Sequence, residues 1–96
     1  MLTIKLSESV GAFAENKDTA QKIRVEQIIP AIQKNEKVVL DFEHIDSATQ
    51  SFVHALISDV IRQYGSDSLD NISFKNCSKT VQKIIEIVVE YMQESN

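Results

Sequence analysis

The sequence predicts a small α/β fold in which three strands and three helices alternate in the order β-α-β-α-β-α. Apolar and polar residues alternate over residues 2–6 and 72–75, and an almost continuous apolar run occupies residues 38–42. Between and after these runs, apolar residues recur at helical spacing. Such alternation favours a mostly parallel sheet, reached through right-handed crossovers, with the helices packed on it.

The composition is that of one small globular domain over residues 1–96. A chain of 96 residues, with 43% hydrophobic and 25% charged residues, can build one modest core. Two glycines and one proline leave little room for linkers or a second domain. The formal net charge of −4 argues against a protein that binds the nucleic-acid backbone.

The sequence also predicts a protein of the reducing cytoplasm with no membrane partner. Its apolar runs, such as Val38-Val39-Leu40, are too short to span a bilayer. The N-terminal residues lack the apolar core and the cleavage site of a signal peptide. The only cysteine, Cys77, cannot form an internal disulfide.

Three segments have strand patterns. LTIKL, residues 2–6, is predicted to be a strand buried on one face. The following residues 7–16 are predicted to form a loop that is most flexible at Gly11. Within this loop, SVGAF could add a further strand. KVVLDF, residues 37–42, is predicted as a central strand covered on both faces, because its apolar residues are nearly continuous. NISFKNC, residues 71–77, gives the third strand. Either LTIKL or NISF could pair with a second copy across a homodimer edge.

The first helix is predicted to begin at Asp18, because Asp18 and Gln21 have the spacing of a capping box. Pro30 lies inside the helical pattern and clashes with the carbonyl of Glu26, so the helix is expected to kink near Glu26 or to end early. The predicted buried stripe leaves out Ala20 and Ile23 and consists of Val25, Ile28, Ile29 and Ile32.

The second helix is predicted over residues 47–65, since Ser47 and Gln50 form a capping-box pair and Gly65 can end the helix in a left-handed conformation. Helical spacing divides it into two arcs. The arc predicted to be buried comprises Thr49, Phe52, Val53, Leu56, Ile57, Val60, Ile61 and Tyr64. The arc predicted to face water comprises Ser47, Ser51, His54, Ser58 and Arg62.

The last helix is predicted over residues 78–95 and is amphipathic, with Ser78 as its N-cap. Its apolar arc is predicted to hold Val81, Ile84, Ile85, Val88 and Met92. The opposite side is predicted to hold Lys79, Lys83, Glu86, Glu90 and Glu94.

Three hydroxyls crowd into DSATQSF, residues 46–52, at the junction between the central strand and the second helix. Capping is predicted for Ser47 and packing for Thr49. Ser51 is predicted to be exposed and to have no structural role. Because the amides and dipole of a helix N-terminus favour a phosphate, Ser51 is the predicted candidate for phosphorylation.

The segments VVLDF, QSF and ISFKNCSKTVQKII, together with the upstream Gly11-Ala12-Phe13, resemble the STAS-like domain family of unknown function. That family is related in fold to the STAS domains of bacterial anti-sigma-factor antagonists. The resemblance extends over most of the chain. It implies a STAS-like α/β fold and a role in regulation and signalling.

In the antagonists, a serine in an Asp-Ser-Ser/Thr-Gly-Leu motif at this helix start is phosphorylated. Depending on the alignment, the resemblance places that acceptor at Ala48, Gln50 or Ser51, and Ser51 is the position with a hydroxyl. The motif glycine is missing from DSATQSF. The resemblance therefore implies Ser51 as the residue at which such a switch could act.

The residues and the resemblance predict a non-enzymatic regulatory module that docks a partner protein through the loop of residues 43–52 and the start of the following helix. The resemblance implies a partner of the histidine-kinase-like ATPase fold, an ATP-binding regulator of the serine-kinase type. The alternative is a small-molecule or nucleotide sensor, since a helix N-terminus can accept an anion. The predicted partner surface comprises Asp46, Gln50, His54, Ser58 and Arg62, with Ser51, Ser47 and Thr49 as partner-binding or phospho-acceptor positions.

No enzyme, cofactor or metal is predicted. Cys77 could act as a thiol nucleophile with His44 or His54 as its base, and the helix start that follows Cys77 could stabilise a thiolate. No third residue that would orient the base is evident, however. The alternative for Cys77 is a small buried hydrophobe. DFEHID, residues 41–46, is rich in potential metal ligands, but a strand would split them between two faces.

Overall fold

The predicted order of the three main strands and three main helices is confirmed by the structure, a computed structural model that describes residues 1–94. The strands are β1 (Leu2–Lys5), β2 (Phe13–Ala14), β3 (Val38–Asp41), β4 (Ser47–Ala48) and β5 (Ile72–Lys75). The α-helices are α1 (Ser7–Val10), α2 (Lys17–Ile23), α3 (Ile29–Gln33), α4 (Gln50–Tyr64) and α5 (Lys79–Glu94). A π-helix, Arg24–Ile28, joins α2 to α3, and a 3₁₀-helix, Ser66–Asn71, precedes β5. Ser95 and the side chain of Glu94, both included in the predicted last helix, lie outside the described residues.

Within residues 1–94 the strand pairs are all parallel, which agrees with the predicted mostly parallel sheet. β3 is the centre of a three-stranded sheet of order β1-β3-β5, and β2 and β4 form a separate pair with Phe13 opposite Ser47. The predicted loop over residues 7–16 therefore contains a short helix and a two-residue strand. LTIKL and NISF lie at the edges of the three-stranded sheet, and their pairing across a homodimer stays a prediction.

The main helices lie together in one layer. Both crossovers run across the sheet in the same direction, from β1 to β3 and from β3 to β5, so right-handed connections place their helices on one face. Accordingly, α4 contacts both α2 and α5. No helix within residues 1–94 is long and apolar enough to cross a membrane.

The other face of the sheet is open, so the prediction that the central strand is covered on both faces is wrong. Val39 is half-buried there, and its cross-strand neighbours Thr3 and Ser73 are exposed. In the next row, Lys5 and Lys75 are exposed on either side of β3. The edge strands thus place polar residues on the face turned away from the core, and the fold has two layers.

The core lies between this sheet and the helical layer, and it confirms most of the predicted periodicity of α4 and α5. Gly65 ends α4 with a left-handed φ of 81°, as predicted. Tyr64, predicted to be buried, is exposed. The buried residues of α4 include Phe52, Val53, Leu56, Ile57, Val60 and Ile61, and those of α5 are Val81, Ile85, Val88 and Met92, with Ile84 half-buried.

The predicted cap of the first helix is wrong. α2 begins at Lys17, and its N-cap is Asn16. The Asn16 Oδ1 accepts from the backbone N–H of Asp18 at 3.0 Å and from that of Thr19 at 3.2 Å. Asp18 therefore lies in the first turn, where its carboxylate still interacts favourably with the helix dipole.

The irregularity predicted near Glu26 is present as the π-helix rather than as an early end. Pro30 follows directly in α3 and has no N–H to donate to the carbonyl of Glu26. The π-helix adds one residue to the turn and so rotates the later side chains relative to a continuous α-helix. As a result Val25, predicted to be buried, is 55% exposed. The buried residues of this segment are Ala20, Ile23, Ile28, Ala31 and Ile32, while Ile29 is half-buried.

Candidate functional site

The loop between β3 and β4 is fixed by backbone hydrogen bonds. The backbone N–H of Ile45 donates to the carbonyl of Phe42 at 3.0 Å, and His44 has a left-handed φ of 68° inside this turn. The N–H of Asp46 donates to the carbonyl of Ala12 at 2.8 Å. The carbonyl of Asp46 accepts from the Ser78 hydroxyl at 3.2 Å. The loop is therefore tied to the β2 segment and to the start of α5.

The helix after this loop starts later than predicted. The Thr49 Oγ1 accepts from the backbone N–H of Phe52 at 3.1 Å, which makes Thr49 the N-cap. Ser47 lies in β4, and the pairing of β4 with β2 continues to Thr49, whose N–H donates to the carbonyl of Ala14 at 2.9 Å. The prediction that Ser47 and Gln50 form a capping box is therefore wrong. The prediction that Thr49 has only a packing role is wrong for the same reason.

Ser51 is exposed in the first turn of α4, as predicted, and lines a cleft of about 510 Å³ between α2, α4 and α5. Lys17 is the one Lys, Arg, Asp or Glu among the described residues that line it. The one charge among the described lining residues is therefore positive, although the chain carries a net charge of −4. Its lining residues are Lys17, Gln21, Gln50, Ser51, His54, Ala55, Ile87, Val88 and Tyr91.

The wall of the cleft that α5 contributes is apolar and exposed. Tyr91 is 63% exposed and Ile87 is 40% exposed. The half-buried His54 lies edge-on to the Tyr91 ring, with 6.5 Å between the ring centroids and 61° between the planes. Neither Ile87 nor Tyr91 was predicted from the sequence to be a site residue. Ile87 and Tyr91 lie three and seven residues after Ile84, and this helical spacing could have identified a second apolar face on α5.

The rest of the predicted partner surface is only partly brought together. Gln50, Ser51 and His54 line the cleft, while Asp46 is exposed on the preceding loop. Ser58 is only 3% exposed, so its prediction as a water-facing residue is wrong. Arg62 is exposed, as predicted, but it does not line the cleft.

Ser58 lies between two residues of α4 that bind the π-helix, Ala55 and Asp59. The Arg24 Nη1 donates to the carbonyl of Ala55 at 2.8 Å, and its Nη2 lies 3.3 Å from the Asp59 carboxylate. Asp59 also accepts from Arg62 at 2.8 Å. Arg24 therefore anchors the side of α4 that the helical pattern alone predicted to face water.

Two titratable groups lie at the same end of the sheet: Asp41 is the last residue of β3, and Cys77 follows β5. Asp41 accepts from the Asn76 amide at 3.0 Å and from the backbone N–H of Glu43 at 2.9 Å, and these two hydrogen bonds lower the pKa of its carboxyl. Burial, followed by the negative charge of Asp41, raises the pKa of the Cys77 thiol. Both effects disfavour the thiolate that the nearby helix start could have stabilised at Cys77. Within residues 1–94, no three His, Cys, Asp or Glu side chains are grouped so that they could hold a metal ion.

Comparison with known proteins identifies one family. Residues 19–82 match a family model described as a STAS-like domain of unknown function. The matched region extends from α2 to the start of α5 and includes the loop and the whole of α4. No curated protein and no solved structure gives a significant match.

Proposed function

Because the chain belongs to the family of STAS-like domains of unknown function, we propose that it is a non-enzymatic regulatory module that docks a partner protein through residues 43–52 and the first turn of α4. The observation that carries this proposal is the position of Ser51. Its exposed hydroxyl lines the same cleft as the exposed side chains of Ile87 and Tyr91. Tyrosine and adjoining exposed apolar surface are typical of protein-binding sites.

The hydrogen-bonded loop supports docking with little rearrangement. Its attachments to Ala12 and Ser78 hold the backbone before α4 in one conformation. A surface that is already ordered costs less conformational entropy on binding than one that must fold on the partner. The loop and the cleft thus form a preorganised surface that a partner can recognise by its shape and its charge.

Phosphorylation of Ser51 is the proposed switch. A phosphate adds about −1.5 to −2 charges near neutral pH and three acceptor oxygens. Among the described residues that line this cleft the charged one is Lys17, so a phosphate would outweigh its single positive charge and repel an acidic partner surface. The N-terminal position in α4 makes the phosphate itself tolerable, because the helix dipole favours a negative charge there. The proposed partner is an ATP-binding regulator of the histidine-kinase-like ATPase fold.

Affinity capture from native lysate with four forms of the chain tests this proposal. Wild type and Ser51→Ala are expected to capture the same ATP-binding protein, whereas Ser51→Asp is expected to lose it. Ser66→Asp, at an exposed serine of the 3₁₀-helix, is the matched charge control and is expected to behave as wild type. Equal capture by Ser51→Asp and wild type would rule out the switch. Captured proteins without an ATP-binding domain would rule out the partner class.

The size of the cleft favours a second candidate function, the sensing of a small molecule or nucleotide. Its volume of about 510 Å³ falls within the range of about 300–1,000 Å³ that is common for ligand sites. Tyr91 could stack on a base, and Lys17 could pair with a phosphate. A thermal-shift series with nucleoside mono-, di- and triphosphates tests this candidate, because a ligand that binds the native state raises the unfolding temperature. An unchanged midpoint at millimolar nucleotide would contradict it.

A further inference from the structure

α5 carries two apolar stripes, and only one of them is buried, on the side that contacts α4 and β4. The second stripe, which we call the outer stripe, contains Ile84, Ile87 and Tyr91 and begins at the exposed Thr80. Its successive spacings of four, three and four residues are those of the a and d positions of a coiled coil. From Ile84 onward the exposed fraction rises, from the half-buried Ile84 to 40% at Ile87 and 63% at Tyr91.

We propose that the outer stripe pairs with the outer stripe of a second copy of this chain, with the two α5 helices antiparallel about a two-fold axis. A two-fold interface must be self-complementary, because the same patch contacts itself. The outer stripe meets this condition: a register that sets Ile84 opposite Ile87 of the other copy also sets Tyr91 opposite Thr80 of the other copy. Each of these two contacts then occurs twice in the dimer.

The charges beside the outer stripe fit the same register. Lys83 and Glu90 both occupy the position that precedes a seam residue, and both are exposed. With a helical rise of about 1.5 Å per residue, this register leaves Lys83 about 3 Å along the axis from Glu90 of the other copy. Their side chains span that offset easily. Two such ion pairs form, one on each side of the axis.

The order of charges along α5 selects the antiparallel direction. Lys79 and Lys83 lie in its first half, and Glu86 and Glu90 lie in its second half. A parallel pair would instead face Lys83 with the apolar Val88 of the other copy and leave it without an acidic partner, which disfavours that arrangement. An antiparallel pair sets the basic half of each helix against the acidic half of the other. Charge complementarity therefore identifies a second copy as the occupant of this surface.

The inference does not rest on the proposed function. The outer stripe lines the cleft opposite Ser51, so a dimer and a partner protein would compete for overlapping surfaces. Self-association is measured on the purified chain alone, however, and partner capture is measured with Ser51 variants. Failure of one therefore leaves the other intact.

Sedimentation velocity over a concentration series tests the dimer. Wild type is expected to show a concentration-dependent monomer–dimer equilibrium, and Ile87→Glu is expected to weaken it by about tenfold or more. Lys83→Glu and Glu90→Lys each set like charges against each other across the axis and are each expected to raise the dimer Kd about tenfold. An equimolar mixture of these two variants is expected to recover wild-type association as a heterodimer, because every repulsive pair becomes attractive.

Lys37→Glu, at an exposed residue before β3, is the control and is expected to leave the equilibrium unchanged. Circular dichroism of each variant establishes that it remains folded. A wild-type chain that stays monomeric to millimolar concentration would overturn the proposal. A dimer that is unaffected by the Ile87 and charge substitutions, or single variants that do not rescue each other when mixed, would overturn the assignment to α5.

Discussion

Substitution of Thr49 by alanine is expected to destabilise the protein through the start of α4. The hydroxyl oxygen of Thr49 accepts from the backbone N–H of Phe52 at 3.1 Å in a partly buried setting, so alanine leaves that donor without its cap. The loss of such a cap costs about 1 kcal/mol, within a range of about 0.5–2 kcal/mol. In a domain of this size, about 1 kcal/mol lowers the melting temperature by about 4–8 °C.

Ser47→Ala is the matched comparison, because the sequence pattern and the structure assign the cap to different residues. Ser47 lies in β4, opposite Phe13, so its replacement is expected to change the free energy of unfolding by less than about 0.5 kcal/mol. Thr49→Ser retains an acceptor and is expected to stay closer to wild type than Thr49→Ala. Urea unfolding at neutral pH measures all three. A larger loss for Ser47→Ala than for Thr49→Ala would refute the assignment of the cap.

Three further predictions concern the buried groups. The hydrogen bond from the Asn76 amide lowers the pKa of Asp41, so it stabilises the folded chain when the carboxyl is ionised. This stabilisation is complete above the ordinary carboxyl pKa and is lost as the pH falls through the lowered pKa. The stability difference between wild type and Asn76→Ala, from urea unfolding across pH, should therefore shrink in acid; a constant difference would contradict this. Ile28→Ala is expected to lower the free energy of unfolding by about 2–5 kcal/mol, and Val25→Ala by less than about 0.5 kcal/mol. A larger loss for Val25→Ala than for Ile28→Ala in urea unfolding would contradict the side-chain positions that the π-helix produces. Because its pKa is raised, Cys77 should react with a disulfide reagent at neutral pH more slowly in the folded chain than in urea, and equal rates would contradict that burial.

The sequence predicted those features of the fold that local periodicity determines. The continuous apolar run of KVVLDF identified the central strand, and helical spacing identified most of the buried residues of α4 and α5. Helix starts were less predictable because several residues near each start can serve as a cap. Asn16 takes this position instead of Asp18, and Thr49 takes it because the pairing of β2 with β4 keeps Ser47 extended. That pairing joins segments far apart in the sequence, and local patterns do not report it.

The candidate site was predictable to a similar extent. Ser51 could be identified because it falls outside the apolar arc of α4. Lys17 and Tyr91 reach the same cleft from α2 and α5, so their proximity depends on how three helices pack. Ser58 is likewise buried on the side of α4 to which Arg24 of the π-helix binds through the Ala55 carbonyl. Helical spacing specifies the faces of one helix, whereas contacts between helices decide which of those faces reach solvent.

Amide hydrogen exchange, measured with and without a protein captured by the wild-type chain, tests the central claim most directly. If the partner docks through the loop and the start of α4, exchange should slow over residues 43–54 and over the exposed part of α5, residues 87–91. Residues 3–5 and 73–75 of the open sheet face should exchange at unchanged rates. Slowing confined to the open sheet face, with residues 43–54 unaffected, would contradict the proposed docking site.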